Sequence, residues 1–133
     1  MDETSQLARI AVVDDDDLVR EAFKDCLESA GYAVADYRSA EEFLASSSEQ
    51  EADCLILDVR LPGMNGFELQ SKLAGCGSRV PVVFVTAHVT EEAHERAVRQ
   101  GAAGFLKKPL PRNTLLQSVE AALSQGHQGG RPS

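Results

Sequence analysis

Ile10-Ala11-Val12-Val13-Asp14-Asp15 sets an unbroken apolar run directly against two carboxylates, and the same arrangement recurs further along the chain. Cys54-Leu55-Ile56-Leu57 stops on Asp58, Val82-Val83-Phe84-Val85 on Thr86, and Gly104-Phe105-Leu106 on Lys107 and Lys108. Short continuous apolar runs rich in β-branched residues and bounded by turn signals read as strands buried on both faces, the sequence appearance of a parallel sheet. Parallel strands end at one edge, and in open α/β sheets the ligand crevice lies outside those carboxyl ends. Residues scattered from 14 to 108 are therefore expected to meet in one pocket, where three carboxylates, a hydroxyl and an ammonium share the space.

Between these runs the apolar period changes to about 3.6. Leu18, Val19, Ala22, Phe23, Cys26, Leu27 and Ala30 form a helical stripe closed by Gly31. Ala33-Val34-Ala35-Asp36-Tyr37 alternates and predicts a second strand, after which Ser39-Ala40-Glu41-Glu42 has the form of a capping box opening a helix to about residue 45. A serine-rich loop follows. A third helix is predicted over 66–74 with Phe67, Leu69 and Leu73 inward. A fourth, over 91–100, has a thin apolar side of Ala93, Ala97 and Val98. Leu115, Leu116, Val119, Ala122 and Leu123 mark a fifth behind Pro111. Strict alternation of five strands and five helices, joined by right-handed crossovers, places helices on both faces of the sheet. The predicted fold is doubly wound α/β.

A chain of 133 residues supports one core without staples. Residues 1–125 are expected to form that domain. From Ser124 onward, with Gly126, Gly129, Gly130 and Pro132, little can be buried, so 126–133 reads as a flexible tail or a linker cut short. Thirteen basic against 21 acidic residues, a net charge of -8, argue against a nucleic-acid partner for this domain. No apolar stretch approaches the ~20 residues that span a bilayer, and the polar start is no signal peptide, so a cytoplasmic protein is expected. Cys26, Cys54 and Cys76 lack metal or redox spacing; the first two read as small core residues and the third as an accessible thiol.

Two carboxylates ~4 Å apart repel by roughly 4 kcal/mol at an effective dielectric of 20, so an acidic cluster asks for a cation. Hard oxygens suit Mg²⁺. A carboxylate is also a nucleophile toward phosphorus, and Asp58, alone on its strand end, is the candidate acceptor. An ammonium such as Lys108 would stabilise charge on transferring phosphoryl oxygens, and the Thr86 hydroxyl could donate to the group once bound. Taken singly, each residue has an ordinary explanation: an acidic helix start for Asp14 to Asp17, a turn residue for Asp58, a satisfied strand-end hydroxyl for Thr86. Independent structural needs do not place all of them on one sheet edge. Lys107, by alternation, should face solvent. His88 falls near the pocket rim, and neither it nor His94 or His127 shows metal-ligand spacing.

Asp14-Asp15-Asp16, Asp58-Val59-Arg60-Leu61-Pro62-Gly63-Met64-Asn65-Gly66, Thr86-Ala87 and Lys108-Pro109, in this order and at these separations, resemble the signature of bacterial response-regulator receiver domains over about residues 7–125. The wording of Asp58 to Pro62 and of Gly101 to Pro109 is similar to the receivers of FixJ-type and NarL-type transcription factors. The resemblance implies a flavodoxin-like strand order of 2-1-3-4-5. It implies a phosphorylation-dependent switch in which a sensor histidine kinase donates to Asp58. Asp15 and Asp58 would then ligate Mg²⁺ directly, Asp14 through water, and Arg60 by its backbone carbonyl. Lys108, Thr86 and the Ala87 backbone would attend the phosphoryl group, Thr86 and Phe105 would form the switch, and Lys108-Pro109 would be cis. Ordinary core packing is the alternative role for Phe105, by its position on the last strand. A phosphorylation-dependent homodimer, transcriptional output through a domain beyond Ser133, and no turnover enzyme activity complete the expectation. A stand-alone receiver is the alternative. So is a Mg²⁺-dependent phosphohydrolase, although its second motif aspartate is replaced here by Arg60, which cannot exchange protons near neutrality. Neither a P-loop nor a G-x-G-x-x-G motif occurs, which disfavours nucleotide binding.

Overall fold

A computed structural model describes residues 7–46 and 52–129, with 126–129 as backbone only. Five strands alternate with five helices: β1 Arg9–Val13, α1 Asp17–Ser29, β2 Ala33–Tyr37, α2 Ala40–Ala45, β3 Cys54–Asp58, α3 Gly66–Gly75, β4 Val82–Thr86, α4 Glu91–Arg99, β5 Gly104–Lys107 and α5 Arg112–Gly129. All strand pairs are parallel, and the order across the sheet is β2-β1-β3-β4-β5. The three central strands are the continuous apolar runs, and their residues are buried almost throughout.

Alternation along each strand divides the core into two layers. Ala11, Val13, Leu55, Leu57, Val82 and Phe84 face α2, α3 and α4, whose Phe43, Phe67, Leu69, Leu73 and Ala97 close that layer. Ile10, Val12, Cys54, Ile56, Val83 and Val85 face α1 and α5, where Phe23, Leu27, Leu115, Val119 and Ala122 meet them. The register Val13↔Leu57 and Asp58↔Val85 brings the carboxyl ends of the central strands level. Cys54 is buried, Cys26 half-buried and Cys76 exposed.

Two apolar residues face the other way from the sequence reading. Leu18 is 76 % exposed, because it stands about 140° around the helix from buried Phe23 at 100° per residue. Val98, one residue on from buried Ala97, is 64 % exposed. Ala22 and Ala30 are exposed as well, so the buried stripe of α1 is narrower than its apolar residues. At α2 the Ser39 hydroxyl accepts from the Glu42 amide at 3.0 Å, but Glu42 reaches back to the Arg38 amide at 2.8 Å, one residue before the cap. The reciprocal box instead opens α3, between Asn65 and Glu68, at 2.9 Å in both directions. The helical backbone of α5 continues to Gly129, past the domain end expected at residue 125. Glycine weakens a helix by about 1 kcal/mol relative to alanine without breaking it. The rest of the expected tail, 130–133, and most of the serine-rich loop after α2 lie outside the described residues.

Candidate functional site

The four strand ends converge as their sequence implied. Asp14 follows β1, is fully buried, and donates its amide to the Tyr37 carbonyl at the end of β2 at 3.1 Å. Its Oδ1 accepts from the Asp16 amide at 2.9 Å. Asp15 is exposed, and Asp16 caps α1 by accepting from Leu18 and Val19. Asp58 ends β3 with 4 % exposure, its Oδ1 held by the Arg60 amide at 3.0 Å. Thr86 ends β4, also buried; its Oγ1 accepts from the His88 amide at 3.1 Å and donates to the His88 carbonyl at 3.3 Å. Beyond β5 the Lys108 amide donates to the Thr86 carbonyl at 2.8 Å, and the Lys108-Pro109 peptide is cis.

The Lys108 ammonium closes the arrangement. Nζ donates to Asp14 Oδ2 at 2.9 Å and to Asp58 Oδ2 at 3.1 Å, tying β5 to β1 and β3 across the crevice. Burial opposes charge on this lysine, but the bonds to Asp14 and Asp58 hold its pKa above the ordinary value. Asp58 shows the reverse balance. Burial first, then the neighbouring Asp14 charge, push its carboxyl up to about 6 despite Lys108 and the Arg60 amide.

Asp14, Asp15 and Asp58 each present an oxygen within 4.8 Å of the others. Such a hard-oxygen set fits a small divalent cation, and the Asp14 charge, which adds to burial in raising the Asp58 carboxyl, would favour one. Arg60, Ala87 and His88 are exposed on the loops around this pocket. Phe105 is half-buried, packs with the α2/α3/α4 layer and lays its ring 5.4 Å from that of His94 on α4. Lys107 is exposed, as alternation requires.

Three further contacts support the pocket. Gly66 lets α3 approach β3 so closely that a Cβ there would stand 2.4 Å from the Asp58 carbonyl oxygen. Glu41 on α2 accepts from the Met64 amide at 3.0 Å and so holds the loop after Asp58; that bond keeps the Glu41 carboxyl below its ordinary range. Arg20 on α1 reaches the Asp14 carbonyl at 2.9 Å.

Fold and site together define a doubly wound α/β domain carrying a carboxylate, hydroxyl and ammonium pocket on the carboxyl edge of its sheet. The model of the response regulator receiver domain matches residues 10–120, and the chain belongs to that family. It is 37% identical over 122 residues to the transcriptional regulatory protein FixJ of Azorhizobium caulinodans, covering 92% of this chain and 58% of that protein. It is 38% identical over 120 residues to nodulation protein W of Bradyrhizobium diazoefficiens, covering 90% of this chain and 53% of the relative. The chain thus spans a little over half the length of these relatives. Among solved structures, response regulator StyR superposes with a TM-score of 0.80 at 39% identity over 92% of this chain and 62% of that one. The structure named FixJ-N gives 0.79 at 30% identity over 88% and 94%. Among the described residues, no helix is long and apolar enough to cross a membrane.

Proposed function

We propose that this domain is a phosphorylation-dependent signalling switch whose acceptor is Asp58, with a sensor histidine kinase as donor. The observation that carries the proposal is the three-way meeting of Asp14, Asp58 and the Lys108 ammonium at 2.9 and 3.1 Å, with Asp15 beside them. An Asp58 carboxylate oxygen bonds to phosphorus as the bond from phosphorus to the donor's histidine nitrogen breaks; with the other ring nitrogen of the phosphohistidine protonated, the products are an acyl phosphate on Asp58 and a neutral imidazole. Asp14, Asp15, Asp58 and the Arg60 carbonyl would hold Mg²⁺, which supplies positive charge to the cluster and the incoming oxygens. The Lys108 ammonium exchanges a carboxylate partner for a phosphoryl oxygen. The Thr86 hydroxyl and the Ala87 amide become its other donors. Arg60 at the second position after the nucleophile disfavours the phosphohydrolase alternative, because it supplies no general acid or base there. A relative named as a transcriptional regulatory protein, of which the match covers 58%, supports transcriptional output through a further domain.

A small-molecule phosphodonor with Mg²⁺ is expected to add one phosphoryl group, read by intact mass. The phosphorylated form is expected to sediment as a homodimer or to take a partner through α4, β5 and α5, where α4 is anchored by few apolar residues and Phe105 lies. Full phosphorylation of Asp58 with unchanged mass in sedimentation and unchanged amide exchange over residues 86–123 would refute that output face.

Mg²⁺ without any donor is expected to stabilise the fold, by about 2.7 kcal/mol at 100 times its dissociation constant. Asp15→Asn should lose most of the gain. A denaturation midpoint indifferent to millimolar Mg²⁺ would remove the metal from the proposal. Lys108→Ala is expected to retain Mg²⁺ binding yet to take phosphoryl at least about tenfold more slowly, the scale of losing one charge aimed at the transition state. Stopped-flow phosphorylation at saturating Mg²⁺ checks this, and a parental rate would exclude the role of the ammonium.

A further inference from the structure

Arg20 is outside every motif in the chain, yet its side chain is only 12% exposed and makes three hydrogen bonds to three different segments. Nη1 donates to the Asp14 carbonyl at 2.9 Å, Nε to Asp36 Oδ2 at 3.0 Å, and Nη2 to Asp17 Oδ1 at 2.7 Å. Asp36 lies on β2 next to Tyr37, whose carbonyl receives the Asp14 amide at 3.1 Å. The peptide units on both sides of Asp14 are therefore held, one by β2 and the other by the guanidinium that is itself bonded to β2. The planar fork of arginine suits acceptors that diverge in this way, whereas a lysine ammonium is a compact point charge.

We infer that Arg20 is a positioning residue for the acidic pocket, fixing the Asp14 carbonyl so that Asp14 and Asp15 keep the spacing to Asp58 at which a divalent cation binds. The inference rests on the reading that this pocket takes Mg²⁺. The three contacts are not equivalent. The Asp17 carboxylate is 69% exposed, and ion pairs of that kind contribute little. The bond to the Asp14 carbonyl acts on the loop that carries two of the three pocket carboxylates. Loss of Arg20 should accordingly weaken metal binding out of proportion to any loss of general stability, since groups that orient ligands typically govern affinity by about 10–100-fold.

The test is titration of the whole chain with Mg²⁺ alone, by calorimetry and by Mg²⁺-dependent amide shifts, for the parent, Arg20→Met, Arg20→Lys and Asp17→Asn. Unfolding of each is measured in metal-free buffer. Arg20→Met is expected to bind Mg²⁺ about tenfold or more weakly, with Arg20→Lys also weakened and Asp17→Asn close to the parent. Should Arg20→Met fail to fold, Arg20→Lys against Asp17→Asn decides the matter. Parental Mg²⁺ affinity in folded Arg20→Met or Arg20→Lys would overturn the inference, because any cation, or none, would then suffice. Equal losses in Asp17→Asn and Arg20→Met would overturn it too, by assigning the effect to the start of α1. A parent that binds no Mg²⁺ would instead fail the reading of the pocket itself, and the inference with it.

Discussion

Asp58→Asn is expected to take no phosphoryl group from a small-molecule donor with Mg²⁺ and, in metal-free buffer at pH 7, to be more stable than the parent. The first effect is complete, because an amide has no carboxylate oxygen to form the acyl phosphate. The second follows from the Asp58 carboxyl standing at about 6 in the fold, against 3.8 ordinarily. Between those values the folded state binds more protons than the unfolded one, so stability falls as pH rises from about 4 through about 6. At pH 7 the accumulated penalty is on the order of 3 kcal/mol, at 1.36 kcal/mol per unit. The asparagine variant escapes that penalty and should lead by a similar amount, on the order of 3 kcal/mol, at pH 7, with little lead at pH 4. Urea titrations at both pH values, repeated with Mg²⁺ to erase the difference, check the sign. A label that persists in Asp58→Asn would move the acceptor elsewhere, and a lead that grows toward low pH would reverse the electrostatic account.

Gly66→Ala should damage both stability and phosphorylation. Gly66 has an ordinary negative φ, so its role is close approach: an added Cβ meets the Asp58 carbonyl oxygen at 2.4 Å and the Val59 Cα at 3.1 Å. Backbone, not a flexible side-chain end, must give way. Overpacking of this kind costs about 1–3 kcal/mol, only partly offset by the better helix propensity of alanine. A net loss of about 1 kcal/mol or more is expected, with slower phosphoryl uptake because the displaced carbonyl belongs to the proposed acceptor residue. Denaturation and intact-mass time courses on the same protein check both; a variant as stable and as quickly labelled as the parent would show that α3 can withdraw without moving β3.

The architecture was legible because strands buried on both faces leave continuous apolar runs, and parallel strands leave their terminal residues at one edge. Asp14, Asp58, Thr86 and Lys108 could be placed together on that rule alone. Leu18 and Val98 were misplaced because periodicity marks which residues can be buried, whereas the neighbouring element decides how wide a stripe it covers. The contacts of Arg20 were illegible for a different reason. Its acceptors lie 3, 6 and 16 residues away, and one of them is a main-chain carbonyl, which has no residue type to read. The same holds for Glu41, whose partner is the amide of Met64, 23 residues on. Gly66 was visible as a helix start, but its contact with the Asp58 carbonyl depends on the path of the intervening loop.

Thr86 has one proton to give. At rest its hydroxyl gives that proton to the His88 carbonyl, 3.3 Å away, and this short link closes the loop between β4 and the cap of α4 at Thr90. Any acceptor that arrives at the sheet edge and takes the same proton leaves the His88 carbonyl to find another donor. On the proposed reading, a phosphoryl oxygen would compete with the His88 carbonyl for that single hydrogen. Occupancy at the end of the sheet would then reach the start of a helix by the turn of one hydroxyl.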